Sequence, residues 1–276
     1  MCHWILNNLV DQYEIVVCFA NTGREEEETL EFVRDCDLYL GFNTVWVEAV
    51  THHGKRKGST HRIVNFETAS RNGEPFEEVI KKHGIPNVAF LHCTRELKRN
   101  TIHHFGKGFF KTTDYLTAIG IRADEVDRIR KGKFIYPLIK PGIRKEDIVK
   151  FWSEMPFRLE LNRKSLPKHL SGYLGNCKKC FKKTLMKLIE KQRDENSGKC
   201  KPDTWIEDME AKYSNHVPPS QEAGRTVPIR FNRAHMPASE IRDLALLTDA
   251  EIKKKMSKKK VGVNLSNGCT ESCEPF

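Results

Sequence analysis

Glu14–Ala20 reads EIVVCFA, Asn21–Gly23 reads NTG, Arg24–Leu40 reads REEEETLEFVRDCDLYL and Asn43–Val50 reads NTVWVEAV. The first segment is a short, nearly continuous apolar run, the pattern of a strand buried on both faces in a parallel sheet. Asn21-Thr22-Gly23 ends it. In the next segment Leu30, Val33 and Leu38 recur at helical spacing, and Phe32 and Cys36 widen the stripe. Glu25–Glu28 fall in its first turn, where the helix dipole favours negative charge. Asn43–Val50 is a second strand. Strand, glycine turn, helix and strand form a βαβ unit, which predicts an α/β fold with a doubly wound, mostly parallel sheet of Rossmann-like type. Met1–Val10 reads as a helix leading into the first strand. In this fold class such a helix follows a strand of its own, so the sequence is expected to enter the sheet in mid-unit.

Outward from this unit, Pro75–His83 reads as a helix ended by Gly84, and Lys145–Ser153, Cys177–Gln192 and Thr204–Tyr213 read as further helices. Asn87–Cys93 and Ala118–Ile121 read as strands. These elements suggest an α/β domain over 1–140, a helical subdomain over 141–215 and an extended or poorly ordered basic tail over 216–276. A length of 276 residues with 38% hydrophobic residues suffices for a sizeable core without disulfide staples. No apolar run approaches the roughly 20 residues that span a bilayer. Met1-Cys2-His3-Trp4 lacks the pattern of a secretory signal. The expected location is cytoplasmic, where nine cysteines serve as thiols, metal ligands or redox centres.

The net charge is +10. Leu161–Lys201 holds twelve Lys/Arg against three acids, and Lys253–Lys260 holds six Lys and no acid. Such surfaces attract polyanions, including tRNA and DNA; the alternative is a solvated helix face and a mobile tail. The glycine turn at Asn21, Thr22 and Gly23 sits where α/β folds bind nucleotides. The acids that follow it favour contact with adenosine over phosphate at this helix. The alternative is an ordinary turn capped by Asn21 and Gly23. Arg122 and Arg128 follow a short strand and suit bidentate contact with phosphate or sulfate. Alternatively Asp124 or Glu125 pairs with Arg128 and only shapes the loop. Cys177-Lys178-Lys179-Cys180 puts two thiols at the start of a basic helix, where the dipole and the lysines favour thiolates. With His92, His103 or His104 these thiols compose a zinc reading; the alternative is free thiols.

Three of these segments together resemble one family. Cys18-Phe19-Ala20-Asn21-Thr22-Gly23, with Glu28-Thr29-Leu30-Glu31-Phe32, resembles the strand, D-T-G, E-T and Phe signature of phosphoadenosine phosphosulfate (PAPS) reductases. Cys93-Thr94-Arg95-Glu96-Leu97-Lys98 resembles their C-C-x-x-x-K segment, with Thr94 in place of the second Cys. Gly120-Ile121-Arg122 with Arg128 resembles their G-x-R-x-x-x-x-x-R loop. The resemblance runs from about residue 14 to residue 190. It best fits the PAPS reductase-like proteins of phages and mobile elements, within the adenine nucleotide α-hydrolase (PP-loop) superfamily. It implies ATP or PAPS as ligand, with Asn21, Thr22, Gly23, Lys98, Arg122 and Arg128 as nucleotide-binding residues. The activity implied is PAPS reduction with a thiol electron donor, ATP pyrophosphatase chemistry, or thiolation of tRNA or DNA. A binding member without catalysis is the alternative. The family's Ser-Gly-Gly phosphate loop precedes its first helix, and Met1 stands where the residue after that loop falls. The [4Fe–4S] reductases of adenosine phosphosulfate pair a Cys-Cys with a distant Cys-x-x-Cys. Cys93, Cys177 and Cys180 match three of the four thiolates, with Cys36, Cys200, Cys269 or Cys273 to complete the set. The family's nucleophilic tail cysteine corresponds most nearly to Cys273, although Ser272 intervenes; the alternative is an incidental thiol pair.

Overall fold

Asn21 ends β1 (Cys18–Asn21), which pairs in parallel with β2 (Val45–Val50); Cys18 stands opposite Val45, and Asn21 opposite Glu48. The computed structural model describes residues 1–54, 56–159, 161, 177–218, 224, 226–232 and 235–259. Helix α1 (Cys2–Asn8) precedes β1, and α2 (Glu27–Leu40) makes the crossover from β1 to β2. Glu27 and Glu28 occupy the first turn of α2, and Gly41, at φ 64°, ends it. The sheet then turns. Thr60–Val64 forms β3, which pairs antiparallel with β2, so the order is β1-β2-β3. As the central strand, β2 buries Trp46, Val47, Glu48 and Ala49 in succession.

Helix α3 (Glu74–His83) follows and ends at Gly84. The apolar stretch at Asn87 is not a strand. Asn87 closes a tight turn in which its Oδ1 accepts from the Ala89 and Phe90 amides, at 3.1 and 3.2 Å. From Thr94 the chain is helical, first with π geometry over Thr94–Arg99 and then as α4 (Asn100–Phe110). Leu97, Thr101 and Phe105 are buried at steps of four residues, which is the helical stripe. A second small sheet pairs β4 (Thr117–Ala118) with β5 (Phe134–Ile135) in parallel. The described fold is therefore mixed α/β, with two parallel pairs and an antiparallel edge strand.

Helix α5 (Lys145–Glu154) sends Trp152 against Phe32 of α2, ring centroids 4.9 Å apart. The basic helix begins later than the sequence suggests. Cys177–Lys183 is a chain of turns with Lys179 at φ 48°, and α6 (Leu185–Asn196) starts after Thr184, whose hydroxyl caps the Lys187 amide. Helix α7 (Trp205–Tyr213) packs on α3 through Phe76, Val79, Ile80, Trp205, Ile206 and Met209. Within 216–276, Ala238–Lys258 is not an extended tail. It contains α8 (Ala238–Leu244) and α9 (Asp249–Lys258), whose Leu244, Ile252 and Met256 close on Met186 and Ile189 of α6.

Candidate functional site

The turn after β1 is occupied by its own side chains. Glu48, fully buried, accepts from Asn21 Nδ2 at 2.6 Å, the Ser70 amide at 2.6 Å and Arg62 Nη2 at 2.6 Å. Asn21 Oδ1 in turn accepts from the Gly23 amide at 3.1 Å. Gly23 adopts φ 77°, and a Cβ there would lie 3.1 Å from the Gly73 Cα, so glycine is required. Glu25 folds back onto the turn. Its carboxylate accepts from the Thr22 amide at 3.0 Å, the Arg24 amide at 3.2 Å and the Thr22 hydroxyl at 2.9 Å. A carboxylate thus takes the place at which such a turn offers N–H groups to an anion.

The Cys177–Cys180 turn is fastened to this loop. The Lys178 amide donates to the Arg24 carbonyl at 2.6 Å, and Thr22 Oγ1 lies 3.4 Å from Cys177 Sγ. Arg24, buried, forms an ion pair with Asp203 and stacks on Trp205, 4.6 Å from the ring centroid. Lys179 donates to Glu195 at 2.9 Å and to Gln192 at 3.1 Å. Lys191 pairs with Glu26 at 2.7 Å, both side chains buried. Lys183 is buried and donates to the Cys177 carbonyl at 3.1 Å. Burial pulls its ammonium below the ordinary lysine value, against the opposing pull of Cys180, Glu26 and Cys177. Burial works likewise to raise Asp203, but Arg24 and Lys179 outweigh it and hold the carboxyl below its usual range. Several lysines of the basic stretch are therefore internal counter-ions rather than an open polyanion surface.

One narrow cavity, about 30 Å³, collects the thiols. Thr22, Cys93, Thr94, Lys98, Cys177 and Cys180 all line it, with Phe76, Phe181 and Phe231 among its apolar walls. At this size it admits a water-sized group. Asn21, Gly23, Arg122 and Arg128 are not part of its lining. Arg122 instead bonds Asp124 through Nε and Nη2, both at 3.0 Å, and meets Glu125 at 3.1 Å; Arg128 meets Glu125 at 2.5 Å. The two arginines shape their own loop. The helix start expected to favour thiolates at Cys177 is absent, because α6 begins at Leu185.

Among the described residues, no group of three or more His, Cys, Asp or Glu side chains is disposed to hold a metal ion. The histidines weighed as zinc ligands are engaged elsewhere: His92 with the Gly84 carbonyl at 2.9 Å, His103 with Tyr115 at 2.6 Å and His104 with His61 at 2.7 Å. Burial pushes the Cys36 thiol up to about 12, as it does Cys18. Cys269 and Cys273 lie outside the described residues. The sequence reading did not identify Glu48 or Asp203; it took Glu25 only as one of the acids of the helix start and Lys183 only as one of the lysines favouring thiolates. Only the run of glutamates after Gly23 signalled that the turn carries its own anion.

No family model matches the chain. It is 32% identical over 194 residues to the uncharacterized nin region protein ORF290 of Escherichia phage lambda. The match covers 64% of this chain and 59% of that protein, so the chain spans less than two thirds of that relative. No solved structure matches. No helix of the described residues is long and apolar enough to cross a membrane.

Proposed function

We propose that this chain is a PAPS reductase-like member of the PP-loop superfamily, with a Rossmann-like sheet, acting on an adenylyl or adenosine phosphosulfate group in sulfur transfer or reduction. The observation that carries this reading is the convergence of Cys93, Cys177, Cys180 and Lys98 on Thr22, at the carboxyl end of the parallel β1–β2 pair. Nucleotides bind at that edge in α/β folds. Reduction of a sulfuryl group to sulfite takes two electrons, which is what one dithiol gives on closing to a disulfide. Cys177 and Cys180 supply such a pair, Lys98 supplies positive charge for the anion, and an external thiol donor restores the dithiol. The cavity opens to admit the nucleotide.

The test is to incubate reduced protein with adenosine phosphosulfate or PAPS while counting free thiols and sulfite. The expected result is loss of two thiols per sulfite formed, abolished by Cys177→Ser. Neither nucleotide binding nor thiol consumption would overturn the reading. Nucleotide binding with all thiols intact would favour a second one, a binding member without this chemistry. That reading draws on Glu25 seated on the turn amides and on the internal pairing of Arg122 and Arg128.

A further inference from the structure

The lysines after Cys177 turn inward onto Glu195 and Glu26, but the basic residues of α4 do the opposite. Residues 97–113 contain Lys98, Arg99, Lys107 and Lys111 and no Asp or Glu. Arg99, His103, Lys107 and Lys111 stand four residues apart and are all exposed, so they form one row along the outer face of the helix. Each step along the row is about 6 Å. Among the described residues, no acid pairs with Arg99, Lys107 or Lys111. Like charges at this spacing repel and weaken a helix. The His103 ring is held in the row by Tyr115, whose Oη lies 2.6 Å from Nδ1.

Two glycines lie within α4. Gly106 has a packing reason, because a Cβ there would lie 2.9 Å from the Tyr115 ring. A Cβ on Gly108 would meet nothing within 4 Å. Glycine inside a helix costs stability, and no contact among the described residues accounts for that cost at Gly108. It leaves a bare patch of backbone between Lys107 and Lys111. Phe109, 43% exposed, borders the patch, its ring 5.7 Å from Phe105 and 4.9 Å from Phe110.

We propose that this face of α4 binds a single nucleic-acid strand, with phosphates on Arg99, Lys107 and Lys111, the strand passing close over Gly108, and a base stacked on Phe109. A row of one sign with no acid beside it matches a polyanion. Bare backbone at Gly108 permits a closer approach than any side chain would. An exposed ring beside the row favours unpaired bases, which stack on aromatic side chains, over a duplex whose bases are already stacked. None of these residues lines the thiol cavity, so the proposal does not rest on the thiol chemistry.

The test is fluorescence anisotropy of the full chain with a labelled single-stranded DNA of mixed sequence, about 20 nucleotides long, at low salt. The parent is expected to bind it. Lys107→Gln/Lys111→Gln is expected to bind at least about tenfold more weakly, with the slope of log K against log salt reduced by about 1.4 for the two lost phosphate contacts. Gly108→Gln is expected to unfold at a higher temperature than the parent and yet to bind more weakly, whereas a glycine needed by the fold would lower both. Lys253→Gln/Lys254→Gln/Lys255→Gln removes three equally exposed lysines from α9 and is expected to keep the parent's affinity within about twofold. No binding by the parent, or equal losses in the α4 and α9 lysine variants, would overturn the proposal. Unchanged binding by Gly108→Gln would overturn the close approach over that residue. A duplex of the same sequence bound as tightly as the single strand would overturn the choice of an unpaired strand.

Discussion

Replacing Arg24 with Met removes one partner of the buried ion pair that ties the β1 turn to the segment after α6. Arg24 and Asp203 have side chains 4% and 13% exposed, so water replaces little of the lost guanidinium. Deleting one member of a buried pair costs about 3–5 kcal/mol, because the other charge is left uncompensated. Lys179, which also lowers Asp203, offsets part of this, and about 2–4 kcal/mol is the expected loss. The stacking on Trp205 is largely kept by the methionine chain. The pH dependence carries the sign. In the native chain Asp203 has a depressed carboxyl, so its contribution is full above the unfolded value of about 3.9 and is lost as pH falls through the lower folded value. In Arg24→Met burial dominates and the carboxyl rises, so the folded variant takes up its proton earlier. The deficit is therefore largest near neutral pH and narrows in acid. Urea unfolding at pH 7 and pH 4 measures both. A loss under about 1 kcal/mol at pH 7, or a deficit that widens in acid, would refute the argument. The double variant Arg24→Met/Asp203→Leu is expected to recover much of the loss.

Gly23→Ala is expected to lower stability by about 1–3 kcal/mol, because alanine is strained at φ 77° and its Cβ meets Gly73; thermal unfolding checks it. Glu25→Gln weakens the hold of that side chain on the Thr22 and Arg24 amides and removes a negative charge from the turn. Calorimetry with ATP or sulfate is expected to show tighter binding in the variant, and equal or weaker binding would contradict the view of Glu25 as the resident anion. The described residues offer no three-ligand metal group, and the expectation of a [4Fe–4S] cluster or zinc on Cys93, Cys177 and Cys180 is tested by Thr94→Cys, which adds a thiol to the same cavity. Anaerobically purified variant is expected to retain more iron or zinc than the parent, and the same low content in both would count against a metal at these thiols.

The βαβ unit at residues 14–50 was legible because a buried apolar run, a required glycine and an acidic helix start all agree on one local structure. The antiparallel turn of β3 was not, since His61-Arg62-Ile63 carries no alternation and Ile63 faces outward. Glu48 shows why the site's supports stayed hidden. A carboxylate in the middle of VWVEAV looks like an interruption until Asn21, Arg62 and Ser70, distant in sequence, arrive to satisfy it. Cys177-Lys178-Lys179-Cys180 misled in the opposite way. Its lysines resemble a solvated helix face, yet Lys179 takes a left-handed backbone and bonds Glu195, so the segment turns inward. Cys93 and the Cys-x-x-Cys turn line one cavity, and their association in the sequence came from the family resemblance. An acid on Arg128 was the weighed alternative, whereas the pairing of Arg122 with Asp124 was not foreseen.

The thiol turn lies against the residue that follows the first strand. Thr22 Oγ1 and Cys177 Sγ stand 3.4 Å apart, within range of a disulfide once residue 22 carries sulfur. The direct measurement is intact and peptide mass analysis of Thr22→Cys after mild oxidation, with Cys180→Ser in the same chain to prevent pairing within the motif. The account predicts a 22–177 cross-link, seen as the loss of two hydrogens and a joined peptide. Free thiols at both positions under conditions that oxidise exposed cysteines would contradict it.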